Sequence, residues 1–83
     1  MTYRVHVRVM PRSGLLDPQG QAVAHALSSL GYDALGDVRM GKAIELDVSA
    51  ESAAAAEARV REMCDRLLAN PVTEDFDVSV EAS

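Results

Sequence analysis

Apolar and polar residues alternate along YRVHVRVM (residues 3–10). Val5, Val7 and Val9 share one face and Arg4, His6 and Arg8 the other, which predicts a half-buried β-strand. After Asp17-Pro18 the period changes to that of a helix. Val23, Ala26, Leu27 and Leu30 recur at i, i+3, i+4 and i+7, predicting a helix from Pro18 to Leu30. Asp17 suits the N-cap, Pro18 the first helical position, and Gly31 the left-handed residue beyond the end. A second strand is expected within DALGDVRM (33–40), its limits blurred by Gly36. A third follows in AIELDV (43–48), with Ile44, Leu46 and Val48 on one face and Glu45 and Asp47 on the other. A second helix is expected from Ser49–Ser52 to about Ala69, its stripe made by Val60, Met63, Cys64, Leu67 and Leu68. Asn70-Pro71 stops it. EDFDVSV (74–80) reads as the fourth strand, Phe76, Val78 and Val80 alternating with Asp75, Asp77 and Ser79.

The order β-α-β-β-α-β predicts a single α+β domain over residues 1–83 of the ferredoxin-like kind. With right-handed crossovers it becomes a four-stranded antiparallel sheet of order 4-1-3-2, with two helices on one face. Charge supports that order. Arg4, His6 and Arg8 on the first strand would lie between Glu45 and Asp47 on one neighbour and Asp75 and Asp77 on the other, a favourable cross-strand pairing.

Composition narrows the function. A chain of 83 residues buries only about 60–65% of the surface its unfolded form exposes, so a deep cavity would remove much of its core. Function is therefore expected on a surface or at a subunit interface. Residues 1–42 hold five Lys/Arg against three Asp/Glu, residues 43–83 three against ten, and the net charge is −5. An acidic chain without a basic stripe is a poor ligand for nucleic acid or anionic membrane. One cysteine excludes an internal disulfide, and no run approaches the roughly 20 apolar residues of a membrane span. A soluble, cytoplasmic chain without a signal peptide is expected.

Candidate chemistry is sparse. GDVRMGKA (36–43) has the skeleton of a phosphate-binding P-loop, but Ala43 replaces the Ser or Thr that would hold Mg²⁺, and a strand rather than a helix is expected next. The stretch reads as a turn with Gly41 at its permissive position and Lys42 at its tip. Cys64 lies in an apolar stripe and reads as core. His6 and His25 are dispersed, and Glu74, Asp75 and Asp77 alternate faces, so no metal site is expected. In PRSGLLDPQG (11–20), Leu15 and Leu16 beside Arg12 suggest either a helix staple or a docking patch. LLANPVTED (67–75) reads as a helix stop first and a contact surface second. The residues alone favour an interaction or regulatory subunit.

Three stretches, LLDPQGQAVAHALSSLGY, DVRMGKAIEL and VREMCDRLLANPVTEDFDV, together resemble the PurS family over about residues 3 to 80. That family is the small subunit of phosphoribosylformylglycinamidine synthase in purine biosynthesis. The resemblance implies a ferredoxin-like accessory subunit, not an enzyme on its own, of a glutamine-dependent, ATP-consuming carbon–nitrogen ligase. Its expected partners are the large synthetase subunit, the glutaminase subunit and further copies of itself, as a homodimer or a dimer of dimers. It would join the two large subunits and support ammonia transfer. ATP and Mg²⁺ would be used by the complex, with no cofactor, metal or catalytic residue on this chain.

Positions matching the family pattern are Asp17, Pro18, Gln19 and Gly20, then Arg39, Gly41 and Lys42, then Asn70, Glu74 and Asp75. Arg12, Leu15, Leu16, Arg39, Gly41, Lys42, Asn70 and Glu74 are the expected partner-contact residues. Thr73 and Phe76 depart from the family pattern, where a larger aliphatic residue and a tyrosine are expected. Two other readings share the same strand order. An amino-acid-binding regulatory module of the ACT kind would use helix 1 and the loop before it. A hydrolase of the acylphosphatase kind would need Arg12 and Asn70 as an anion cradle. An RNA-recognition domain is disfavoured, because the open face carries charges where stacking aromatics are required.

Overall fold

The computed structural model describes residues 1–14 and 17–81. Its elements are β1 (Thr2–Pro11), α1 (Pro18–Ser29), β2 (Lys42–Ser49), α2 (Ala53–Met63) continued by a π turn (Cys64–Leu68), and β3 (Glu74–Glu81). β1 is central and antiparallel to both neighbours, in the order β2-β1-β3. The register matches like with like. Val5 faces Leu46 and Val80, Val7 faces Ile44 and Val78, and Val9 faces Phe76. A shift by one residue would turn every one of these side chains to solvent.

α2 begins at Ser52, whose hydroxyl accepts from the Ala55 amide at 3.1 Å, satisfying a donor that the helix itself cannot. The helix lies over β1 and β3. Ala56, Val60 and Cys64 meet Val5, Val7, Val9 and Ala69 in the core, and Phe76 packs against the edge of that cluster. Each buried valine contributes up to about 1.5–3 kcal/mol relative to exposure. Burial also pushes the Cys64 thiol pKa up, as expected of a packing residue rather than a nucleophile.

The end of α2 departs from the predicted stripe. The Ala69 amide reaches back five residues to the Cys64 carbonyl at 3.0 Å, a π turn that holds one residue more than an α turn. Cys64 and Ala69 are buried, while Leu67 turns outward at 83% exposure and Met63 is exposed. Leu67 and Met63 are therefore not core residues.

α1 forms as its caps dictate. Asp17 accepts from the Gly20 amide at 3.1 Å. At the other end Gly31, with φ +101°, lets the Tyr32 amide return to the Leu27 carbonyl and the Gly31 amide to Ser28, a Schellman closure. Two expectations about this half are corrected. Residues 33–40 form no strand, so the sheet has three strands and not four. The two helices also do not share a face of the sheet: α2 packs on it, and α1 has no comparable packing against any strand. The reason for both is the path of α1. It leads away from the sheet, and the chain returns past Gly20 and Val38 before entering β2, so residues 33–40 never run beside the β2 edge. The protomer measures 50 × 27 × 14 Å.

Candidate functional site

The end of β1, the starts of β2 and β3, the end of the π turn and the root of α1 meet at one end of the sheet, where Val9 pairs with Lys42 and Pro11 with Glu74. Six of the eight residues expected to contact partners stand there: Arg12, Arg39, Gly41, Lys42, Asn70 and Glu74. Leu15 and Leu16 lie outside the described residues.

Each polar member holds backbone of its own chain. Arg12 donates through Nη2 to the Pro71 carbonyl at 2.6 Å and pairs through Nε with Asp75 at 3.2 Å. Its amide donates to the Thr73 carbonyl at 2.9 Å. Arg39 donates to the Pro11 carbonyl. Lys42 Nζ donates to the Leu68 carbonyl at 3.0 Å, satisfying an acceptor at the end of the π turn. Asn70 accepts at Oδ1 from the Val72 amide at 3.0 Å and gives its own amide to Glu74 Oε1 at 2.8 Å; the Glu74 amide returns to the Asn70 carbonyl at 2.8 Å. The NPVTE turn is thereby fixed from both sides, and it presents Val72 at 74% exposure, five residues after the outward-facing Leu67.

Asp17 joins α1 to this end. One carboxylate oxygen caps Gly20; the other accepts from the Met40 amide at 2.8 Å. These amides, Met40 first and Gly20 second, hold the Asp17 carboxyl below its ordinary pKa. A Cβ on Gly20 would run into the Val38 carbonyl and the Asp17 carboxylate. A Cβ on Gly41 would meet the Val9 carbonyl and Met10 sulfur. Gly41 thus serves close approach to β1; its φ is not positive, which corrects the turn role read from the sequence. Lys42 opens β2 rather than a helix, so the GDVRMGKA stretch lacks the geometry of a P-loop.

Two clefts flank the junction. One, of about 570 Å³, is lined by Arg12, Ser13, Asp17, Gln21, Asp37 and Arg39. The other, of about 540 Å³, lies between Pro18, Met40, Thr73 and Glu74. Arg12 and Asn70 come close together, yet the Arg12 fork and the Asn70 amide are both directed into the Asn70–Asp75 turn, unlike an open anion cradle.

The open sheet face carries the cross-strand charge pattern expected from sequence. Arg4 pairs with Asp47 at 3.3 Å, and His6 stands between Glu45 at 3.4 Å and Glu81 at 2.8 Å. The hydrogen bond from His6 lowers the Glu81 pKa. Among the described residues no cluster of three His, Cys, Asp or Glu is arranged to hold a metal, and no helix is long and apolar enough to cross a membrane.

Sequence reasoning missed the second role of Asp17 and the outward turn of Leu67. The Asp-Pro signal identified the cap, but nothing local announced a bond to a residue 23 positions away. At Leu67 the α period itself misled, because residues 60, 63, 64, 67 and 68 fit it so well.

The PurS family pattern, described as phosphoribosylformylglycinamidine (FGAM) synthase, matches residues 4–82. Phosphoribosylformylglycinamidine synthase subunit PurS of Bacillus subtilis (strain 168) is 47% identical over 79 residues, covering 95% of this chain and 93% of the relative. The solved structure of B. subtilis PurS in a C2 crystal form superposes with a TM-score of 0.85 at 46% identity, covering 96% of this chain and 99% of that one. A chain in the structure of PurLQS from Thermotoga maritima superposes with a TM-score of 0.88 at 31% identity, covering 98% and 99%.

Proposed function

The chain belongs to the PurS family, a subunit of phosphoribosylformylglycinamidine synthase, and from that premise we propose that it is the non-catalytic bridge of that complex. It joins the ATP-dependent synthetase subunit to the glutaminase subunit and supports the passage of ammonia between their sites. ATP and Mg²⁺ are used by the complex and not held by this chain, which acts in the cytoplasm as a homodimer or a dimer of dimers.

The observation that carries this reading is the hydrogen-bonded end of the sheet. Arg12, Arg39, Lys42, Asn70 and Glu74 fix the backbone around Leu67 and Val72. A surface of apolar side chains on pre-ordered backbone loses little freedom on docking, which is what a stable interface requires. In this role the candidate polar residues shape the contact surface, while Leu67, Val72 and their neighbours touch the larger subunit. The likeness to a chain of the T. maritima PurLQS structure supports the assembly role. Membership of the PurS family leaves no place for the ACT-type and acylphosphatase-type readings.

Reconstitution tests the proposal. Glutamine-dependent formation of formylglycinamidine ribonucleotide by the two large subunits is measured with and without this chain. The expected result is a glutamine-dependent rate that requires the chain and an ammonia-dependent rate that requires it less. Equal glutamine-dependent rates in both mixtures would overturn the bridge.

A further inference from the structure

β3 forms one side of the sheet and pairs with β1 alone. The register of Arg4–Pro11 against Glu74–Glu81 is unbroken, and just beyond it the Arg12 amide donates to the Thr73 carbonyl at 2.9 Å. Backbone groups alternate in direction along a strand. Asp75, Asp77, Ser79 and Glu81, in step with Thr73, therefore turn their N–H and C=O groups to β1. Phe76, Val78 and Val80 turn theirs outward, where no strand meets them. A bond on the other side of β1 gives the same count. The Ala50 amide donates to the Met1 carbonyl, which directs the odd residues of β1 to β2 and the even ones, Arg12 included, to β3.

This edge lacks the usual guards. Open edges are commonly blunted by Lys, Pro, a bulge or short length. β3 has eight residues, with no Lys, Arg or Pro among them and no bulge. At about 3.4 Å per residue it offers roughly 27 Å of unpaired backbone. Its side chains divide between the two faces. Phe76, Val78 and Val80 are half-buried on the face that α2 covers, and Arg61 of α2 lies over the Phe76 ring, 5.9 Å from its centroid. Asp75, Asp77, Ser79 and Glu81 are exposed on the open face.

Charge selects what this edge can take. On the open face the strands alternate in sign across the sheet: Glu45 and Asp47 on β2, Arg4 and Arg8 on β1, then Asp75, Asp77 and Glu81 on β3. A further strand beside β3 continues the series if it is basic. The acids keep capacity for it. The Asp75 and Glu81 side chains remain more than half exposed although paired with Arg12 and His6, and Asp77 forms no ion pair among the described residues. β3 of a second copy is the wrong occupant, because antiparallel pairing sets one acidic row beside another, and like charges opposite each other destabilise a sheet. We propose that the β3 edge adds an extended segment of another protein, one with Arg or Lys at alternate positions toward Asp75, Asp77 and Glu81. Apolar residues between them continue the row of Phe76, Val78 and Val80. Main-chain hydrogen bonds to the outward groups supply the affinity, and the basic–apolar alternation supplies the specificity. Such strand addition goes beyond the bridging reading and does not depend on it, because it is read on the isolated chain.

The test is amide hydrogen exchange by NMR with a defined probe, a peptide as long as β3 that alternates arginine and valine. Its control has the same composition with the arginines in one block. Both are used at about 0.15 M salt, which screens attraction at long range. With the alternating peptide at about ten times its dissociation constant, exchange at Phe76, Val78 and Val80 is expected to slow about 10-fold. The outward amides of β2, Glu45 and Asp47, are expected to be unchanged, and the block peptide at the same concentration to protect neither strand. Val80→Pro removes an outward N–H that β1 does not use, a change edge strands tolerate, and is expected to weaken binding of the alternating peptide. Asp77→Lys, at an exposed position, is expected to raise its dissociation constant about 5-fold; should Val80→Pro unfold, this variant stands alone. Equal protection by the two peptides, protection of β2 in place of β3, no protection, or an unchanged constant for Asp77→Lys would each overturn the edge site. So would protection of Phe76, Val78 and Val80 that grows with the concentration of the chain itself, which would put a second copy there. A chain that restores glutamine-dependent synthesis while the alternating peptide leaves these amides unprotected would refute strand addition and leave the bridge standing.

Discussion

The two halves of the protomer use the same kind of helix to different ends. α2 lies over β1 and β3 and closes a core in which Val5, Val9, Ala56, Val60 and Cys64 have no exposed surface. α1 has sound caps at both ends and an apolar stripe, yet leads away from the sheet. The difference lies in the connections. α2 is joined to β2 at Ala50–Ser52 and to β3 through the NPVTE turn, which return it over the sheet. α1 is held at its base by Asp17, which fixes it outward. A well-formed amphipathic helix thus specifies that its face must be covered and leaves open which chain covers it.

The largest effect that would separate the halves is expected in the closed one. Val60→Ala should cost about 1–3 kcal/mol in urea denaturation, in proportion to the methyls removed and the cavity left. That loss should be independent of protein concentration, because Val60 touches only its own chain. Next is the cap of the same helix. Ser52→Ala leaves the Ala55 amide without its acceptor and should cost about 0.5–2 kcal/mol, again at any concentration.

Acid should discriminate in the other direction. The Asp17 pKa is depressed in the folded chain, chiefly by the Met40 amide and then by Gly20. Its contribution is therefore complete above the ordinary carboxylate value of about 3.9 and is lost as pH falls below that value through the depressed one. Hydrogen exchange followed into this range by NMR should show protection at Met40 and Gly20 falling before that of β1. Asp17→Asn should lower the protection of the same two amides already at neutral pH. Simultaneous loss throughout the chain would show that the base of α1 is not a separate element.

Most of the closed half, and the start of α1, were legible in the sequence. The alternation of Val5, Val7 and Val9, the Asp17-Pro18 and Asn70-Pro71 boundaries and the basic-between-acidic strand order all correspond to observed features. They are local patterns whose partners lie in the same chain. The second strand expected at residues 33–40 does not form because a strand is completed by its neighbour, and these residues pair with none in the protomer. Leu67 failed because the change from α to π hydrogen bonding depends on how Ala69 packs, and composition does not encode that. At the candidate site the residues were found, but their action was not. Arg12, Arg39 and Lys42, expected as contacts to a partner, hold the chain's own carbonyls, since a backbone carbonyl attracts a cation without leaving a mark in the sequence.

The smallest effect on stability should accompany the largest on assembly. Leu67 and Val72 are 83% and 74% exposed, so Leu67→Ser with Val72→Ser should change the stability of the isolated chain by within about 0.5 kcal/mol per site. The measurement that tests the account most directly is the rate of formylglycinamidine ribonucleotide formation by the reconstituted complex carrying this double variant, with glutamine and with ammonia as nitrogen source. The account predicts a glutamine-dependent rate at least 10-fold below wild type, an ammonia-dependent rate that falls less, and recovery of the former as the variant is raised in concentration. A glutamine-dependent rate equal to wild type at limiting subunit concentration would contradict it, and would place the contact with the larger subunits elsewhere than at this end of the sheet.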